Sequence, residues 1–300
     1  MELRTLRYFV TVAEELNITA ASRKLNISQP PLSAQIKNLE FELQTVLFIR
    51  GKRHLQLTES GRLLYRRAKE IVNLADKAKE EILSLNSGIT GTISVGVTSG
   101  KAAEIAAGWF AAFLKENPQI RFRIENGGSD ELIEKLRGGL VSLAVIAAPY
   151  DQNLLNSFYI CSEPVCAMLG KDHLSTKDGD AEIPVTTLAD TPLIVPGRKS
   201  TVESVYKWFR SAKCEPLIVC ETENGTDAAA LAAQNVGAAL FPESVCPKSG
   251  GVTVKKLAGA EKRIDYYFVW RKGHPLLTAE EKLIDSIKSQ LAEKTATGSL

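Results

Sequence analysis

Two adjacent prolines, Pro30 and Pro31, restrict what this chain can fold into more than any other pair of residues. Proline lacks an amide hydrogen and clashes with the preceding turn, so a helix tolerates it only in its first turn. Ser28, a side chain suited to capping, stands just before them, and Leu32, Ile36, Leu39 and Leu43 follow on one stripe. A helix therefore begins at the capping serine and packs its stripe on what precedes it. Leu3, Leu6, Phe9, Val10, Ala13 and Leu16 make a first amphipathic helix, and residues 20–25 a short second one with Asn17 and Thr19 as caps. A tight turn at Asn26-Ile27 joins the second helix to the third. Two short helices joined in this way are a helix-turn-helix.

The opposite side of the third helix shows Gln29, Pro30, Ser33, Ala34, Lys37 and Asn38, without large apolar groups. Small and amide side chains near a helix N-terminus suit close approach in the major groove. Glutamine pairs with adenine, serine with several base edges, and alanine touches a thymine methyl. Taken alone, the same face also fits a solvated helix. The next segment favours DNA reading. Residues 48–50, the turn Gly51-Lys52-Arg53-His54 and residues 55–58 predict strand, basic turn and strand. That is a two-stranded wing whose Arg50 and Arg53 suit phosphates or a narrow minor groove. Residues 1–67 hold eleven bases against six acids, a net +5, so the rest of a chain of total charge +2 carries −3. A basic N-terminal domain on an acidic body points to a polyanionic partner, double-stranded DNA, for that domain alone.

From Thr58, a cap, a helical pattern runs to Leu85. Leu64, Ala68, Ile71, Ala75, Ala78, Ile82 and Leu85 step alternately by four and three residues, a heptad seam for a second copy of the helix. A surface helix docked on its own chain is the alternative. A dimer would present two reading heads to inverted half-sites. Residues 86–91, Asn-Ser-Gly-Ile-Thr-Gly, read as a hinge.

Beyond the hinge, strand-like runs at 92–97, 120–125, 143–147, 164–169, 193–195, 217–221, 238–241 and 266–270 alternate with helix-like runs. The helices fall at 101–115, 130–137, 201–211, 227–234 and 279–294. This argues for a mostly parallel α/β sheet, or two. Ligands of open α/β sheets sit beyond the carboxyl ends of strands, at helix N-termini. Thr98 and Ser99 end one strand and open a helix there, able to hold a carboxylate or similar anion. Ser129, Ser200-Thr201 and Thr226 occupy equivalent junctions, and Ala147 and Pro196 lie at two further strand ends. Each hydroxyl is also explained as a plain N-cap. Arg198 and Lys199 either add positive charge to such a site or are solvated.

At 300 residues the chain is long enough for two or more domains. No apolar run approaches the length that spans a membrane, the best candidate, residues 143–148, reading as a buried strand, and the first residues lead into a helix and not a signal peptide. A cytoplasmic protein without membrane partners is expected. Five cysteines, Cys161, Cys166, Cys214, Cys220 and Cys246, form no CxxC pair and read as small buried hydrophobes, with a redox pair as the lesser alternative. His54, His173 and His274 are scattered and make no metal cluster. No GxGxxG, P-loop or nucleophile elbow occurs; in Gly96-Val97-Thr98-Ser99-Gly100 the serine comes one place too late for GxSxG. An enzyme and a purely architectural DNA-binding protein are thus the weaker readings.

The N-terminal residues resemble the LysR-type transcriptional regulators. The resemblance rests on Ala20-Ala21 with Leu25, Ser28-Gln29-Pro30, Leu32-Ser33 with Gln35-Ile36, Leu39-Glu40, Leu47-Phe48 with Arg50, and Leu57-Thr58-Glu59 with Gly61. It is specific over residues 1–85 and continues in layout to about residue 293. Phe41 departs from the acidic or polar residue usual there, and Ala34 replaces an arginine of many members, which puts base readout at that position in doubt. The resemblance implies an α+β multidomain protein: a winged helix-turn-helix at 1–58, a linker or dimerisation helix at 59–87 and an effector-binding module at 88–300. That module would hold two Rossmann-like subdomains, hinged like periplasmic binding proteins. The first would span about 91–161 with 268–293, and the second about 162–267. Operator contacts would fall on Ser28, Gln29, Pro30, Ser33, Ala34, Lys37, Arg50 and Arg53. A homodimer or homotetramer, a polar or anionic small-molecule effector in the cleft and RNA polymerase at the promoter are implied, with no cofactor or metal.

Overall fold

The computed structural model describes residues 1–50, 55–84, 91–171, 173, 181–247 and 251–296. They fall into two compact units, residues 1–91 with 135–141, and residues 92–134 with 142–300. The first unit opens with α1 (Leu3–Glu15), α2 (Ile18–Lys24) and α3 (Gln29–Glu42). The antiparallel pair β1 (Phe48–Arg50) and β2 (Leu55–Leu57) and the long α4 (Glu59–Ser84) complete it. Asn17 caps α2 by accepting the Ala20 amide at 3.0 Å, and Asn26 turns the chain in the left-handed conformation at φ 53°. The two prolines sit in the first turn of α3, where no helical donor is lost.

A single core of Leu6, Phe9, Val12, Ala21, Leu32, Ile36, Leu39, Leu47 and Phe48 binds these elements, and Phe9 meets Phe48 at 5.4 Å between ring centroids. Leu43, expected on the buried stripe, instead lies one residue past the helix and is exposed, because α3 stops at Glu42. Glu40, in the last turn of α3, accepts the amides of Leu47 and Phe48 at 2.8 and 3.2 Å, leading into β1. Thr58 caps α4 as expected, accepting the Gly61 amide at 2.9 Å and donating to the Val46 carbonyl at 2.7 Å. Gly61 is required, since a Cβ there would collide with the Leu47 carbonyl oxygen.

The heptad seam on α4 divides. Leu64, Ala68 and Val72 face the core of their own unit, where Ala68 and Val72 are buried. This is the docked-helix alternative, realised over the first turns because α1 lies against α4, tied by Arg7 to Asp76. Ile71, Leu74, Ala78 and Ile82 form a second stripe that stays exposed, Leu74 by 49% and Ile82 by 64%. Leu85 and the hinge residues 86–90 lie outside the described residues.

The second unit is built on ten strands: β3 (Gly91–Val97), β4 (Ile120–Asn126), β5 (Leu143–Ala147), β6 (Leu155–Gly170), β7 (Glu182–Ile183), β8 (Pro192–Val195), β9 (Leu217–Glu221), β10 (Ala238–Pro242), β11 (Val252–Leu257) and β12 (Arg263–Arg271). Their order is β4-β3-β5-β12-β6-β10-β8-β9, with β11 on β6 and β7 on β11. Helices α5 (Lys101–Glu116), α6 (Ser129–Arg137) and α9 (Thr278–Ala296) accompany the first half of the path. Helices α7 (Lys199–Ser211) and α8 (Gly225–Ala233) accompany the second. Strands β3 and β5 run parallel, as do β10, β8 and β9, in the manner expected of each lobe.

The two long strands that join the lobes depart from a mostly parallel sheet. β6 and β12 pair antiparallel over Leu155–Pro164, and from Val165 onward β6 pairs instead with β10. The expected strand at 164–169 therefore begins nine residues earlier. Its first part alternates exposed Ser157 and Tyr159 with more buried neighbours, a pattern masked by the polar residues between. The second part is apolar throughout because both its faces are covered. Val165, Ala167 and Leu169 pack toward α7, while Cys166 and Met168 pack toward α8. The short edge strand β7, and β11 between it and β6, lie in two stretches where no strand was expected.

Candidate nucleic-acid interface and effector cleft

On the first unit, Ser28, Gln29, Pro30, Ala34 and Lys37 are exposed and Ser33 is half-buried, all on the side of α3 away from the core. Ser28 occupies the N-cap position but its hydroxyl makes no capping bond, and the Thr19 hydroxyl donates to the Gln29 amide oxygen at 3.3 Å. That bond holds Gln29 beside α2 at the tip of α3, where side chains reach base edges when a recognition helix enters the groove. Arg50 ends β1, and Arg53, with the rest of the wing turn, lies outside the described residues.

On the second unit, the carboxyl ends of the parallel strands meet at a cavity of about 300 Å³. Thr98, Ser99, Ser129, Ala147, Pro196, Ser200 and Thr201 line it, and it draws on the heads of α5, α6 and α7. Ser129 accepts the Ala147 amide at 2.9 Å and so tethers α6 to β5. The Ser200 oxygen is buried on the cavity wall without a hydrogen-bond partner among the described residues. Thr226 is the exception. It is exposed on the first turn of α8, where its amide donates to Asn224, and it is no part of the lining. Asn224 caps that helix, and the loop before it offers Glu223 to the cavity instead.

Several lining residues escaped the sequence reading. Ser204, Val205 and Trp208 follow Ser200 and Thr201 on one face of α7 at spacings of four and seven to eight residues, a signal the helical period carried. Leu240, Phe241 and Pro242 end β10, a strand end like those that were chosen. Arg263 to Tyr266 come from β12, whose antiparallel course hid its early residues from a search at parallel strand ends.

Two polar assemblies frame the cavity. At its base Glu163, 2% exposed, accepts from the Lys101 amide at 2.9 Å, the Ser244 amide at 2.7 Å and hydroxyl at 2.9 Å, and the Tyr266 hydroxyl at 2.8 Å. Burial and the adjacent Glu163 carboxylate push the Tyr266 phenol well above its ordinary range, so it stays a proton donor. Gly100, at φ 126°, lets the head of α5 reach this carboxylate, for a Cβ would collide with the Tyr266 hydroxyl. At the mouth, Arg198 is bonded to Asp130 and to backbone carbonyls of residues 147–149, so it is neither a free positive charge nor solvated.

Cys161 and Cys246 have raised thiol values, Cys161 to about 11 through burial and Cys246 through its hydrogen bond with Cys166 and then burial. Such thiols carry little thiolate at neutral pH. Among the described residues no three His, Cys, Asp or Glu side chains gather as a metal site, and none of the described helices is long and apolar enough to cross a membrane.

Two families match this chain. One described as "Bacterial regulatory helix-turn-helix protein, lysR family" covers residues 3–62, and the "LysR substrate binding domain" covers residues 86–292. The chain is 32% identical over 252 residues to the HTH-type transcriptional regulator BsdA of Bacillus subtilis, covering 82% of this chain and 86% of that one. With BudR of Raoultella terrigena, also an HTH-type transcriptional regulator, it shares 31% identity over 279 residues, 91% of this chain and 95% of that one. Its fold matches the crystal structure of CbnR, a LysR family transcriptional regulator, with a TM-score of 0.75 at 23% identity, over 96% of this chain and 99% of that one.

Proposed function

Because this chain belongs to the LysR family of DNA-binding transcriptional regulators, we propose that it grips a dyad-symmetric operator through α3 and the wing as a homodimer or homotetramer. It is a regulator and not an enzyme, and it responds to a small-molecule effector. Our reading places that effector in the cleft of the second unit and assigns it a small, polar or anionic character, with no resident cofactor. Working on DNA, the protein would act in the cytoplasm and meet RNA polymerase at the promoter.

The observation that carries the reading is the convergence of three helix heads on one cavity, with the Ser200 hydroxyl buried there and unpartnered among the described residues. Amides at the heads of α6 and α7 present partial positive charge, and the hydroxyls of Thr98, Ser99, Ser200 and Thr201 add donors, the first amide of α5 being taken by Glu163. The other wall is apolar, from Val165, Val205, Trp208, Leu240 and Phe241, so a compact molecule with an anionic or polar end and an apolar body fits. The volume, about 300 Å³, stands at the lower end of ligand pockets. On the first unit, Ser28, Gln29, Pro30, Ser33, Ala34 and Lys37 would contact the operator, with Arg50 and Arg53 on its backbone. The exposed stripe Ile71, Leu74, Ala78 and Ile82 would meet a second copy.

A binding map of the purified protein on fragmented genomic DNA, at two salt concentrations, tests the operator half. A few dyad-symmetric sites whose occupancy falls steeply with salt are expected; their neighbouring genes nominate effectors. With an effector in hand, Thr98→Val should leave operator affinity unchanged and blunt a coupling that is typically about 1–3 kcal/mol. An unchanged effector response in that variant would move the site out of the cleft.

A further inference from the structure

We infer that Arg198 is a clasp that holds the cleft shut, and that its release sets how far the two walls part. The inference deepens the cleft reading above and rests on it for its regulatory meaning, but the contact itself is built from protein groups. Each bond of the guanidinium named here crosses from the head of α7 to the opposite wall. Nε donates to Asp130 Oδ1 at 2.8 Å, and Nη2 approaches the same oxygen at 2.8 Å. Nη1 donates to the carbonyls of Ala147 at 2.8 Å and Ala148 at 3.1 Å, and Nη2 donates to that of Pro149. The side chain is 9% exposed; that of the adjacent Lys199 is 90% exposed and pairs with Glu203 on its own helix.

Only arginine makes this contact. Its planar fork presents five donors that stay charged at any physiological pH, whereas a lysine ammonium is a point charge on a flexible stem. The fork meets three successive backbone carbonyls and a carboxylate at once, so the bonds are held or given up together. With Asp130 balancing its charge, Arg198 is not the counter-ion of an anionic effector in this closed arrangement. That task falls to the helix-head amides and hydroxyls.

The two assemblies framing the cavity differ in how readily they open. The Glu163 cluster at the base is buried, and breaking it would leave a carboxylate without donors. At the mouth, the Asp130 side chain is 63% exposed, so water can take over its share of the clasp. The walls therefore part first at the mouth, about a base that stays joined. An effector acceptor that reaches the guanidinium competes with the carbonyls of residues 147–149, which is how occupancy would change closure.

The test is hydrogen–deuterium exchange, read by mass spectrometry, on the full-length protein with neither DNA nor effector added. In Arg198→Ala, peptides covering residues 129–131, 146–149 and 198–204 should exchange about ten-fold faster or more, the factor one hydrogen bond to a charged group is worth. Peptides from β10 and α9 should be unchanged. Asp130→Asn keeps the carbonyl bonds and should give a smaller acceleration in the same peptides, and Arg198→Lys an intermediate one. Should Arg198→Ala fail to fold, the other two variants decide the matter. Wild-type exchange at 146–149 and 198–204 in the variants would overturn the clasp. That failure is distinct from an effector site elsewhere, which would show only as an unchanged response in Thr98→Val.

Discussion

Individual side chains do different work on the two faces of α3. Leu32 and Leu39 are fully buried and hold the helix in place, while Lys37, one turn beyond Ser33, projects a charge that no other described element claims. Lys37→Ala is expected to weaken operator binding by a similar factor for specific and non-specific DNA, and to reduce the slope of log affinity against log salt by about one. A titration of both DNAs across salt measures it. Gln29→Ala should instead cost discrimination, about 1–3 kcal/mol at a single base pair. At this scale the chain was legible where the chemistry was local. Asn17 and Thr58 cap their helices as their side chains suggested, because capping depends on a few adjacent residues, whereas Ser28 holds the N-cap position without its hydroxyl bonding there. Thr226 failed for the complementary reason. A capping-type residue at a junction says nothing about which way the junction faces, and here Asn224 caps while Glu223 reaches the cavity.

Among the elements, α4 shows how one periodicity can serve two surfaces. A strict heptad reading assigned Leu64 and Ala68 to a partner helix, yet both pack on their own unit, and the residues left outward are Ile71, Leu74, Ala78 and Ile82. An isolated helix drifts by about 20° per heptad relative to a 3.5 repeat, so one apolar pattern over seven turns turns from one neighbour to another. Leu74→Glu should therefore break assembly without unfolding the first unit, read as a fall in mass by sedimentation with the helical signal kept. Ala68→Leu should do the reverse, overfilling a closed core at a typical cost of 1–3 kcal/mol. The strands were legible wherever they were apolar on both faces, as in β5 and β10. Two others with a more exposed face, the first half of β6 and β11, were missed, although β4 and β9, also partly exposed, were found.

The two units are cored separately: among the described residues the first packs around Phe9 and Leu32, and the second around clusters of its own, one at Phe209 and Leu240 and another at Met168 and Ala232. Calorimetry of the intact protein should show two transitions and not one. Phe9→Ala and Phe209→Ala, each removing a fully buried ring at about 3–5 kcal/mol, should each lower a different one. A shift of both transitions by either substitution would mean that the cores unfold together. Composition and patterning anticipated this division: a basic segment rich in helix signals gives way to alternating strands and helices. They did not anticipate the long antiparallel partnership of β6 and β12, since pairing between residues about a hundred positions apart leaves no mark on local periodicity.

That partnership has a mechanical meaning. Where the two strands cross between the lobes, Ser162–Pro164 is bonded to Arg263–Asp265 with no third strand beside them among the described residues, so there they form a short ribbon. A ribbon bends easily across its flat face and resists both shear in its own plane and independent rotation of either strip. The lobes thus have one soft direction of travel, and molecules of different shape lodged between them would all drive the same movement by different amounts. A regulator built this way reads its effector as an angle, and can exchange one effector for another over evolution by altering the walls while the axis of motion stays where it is.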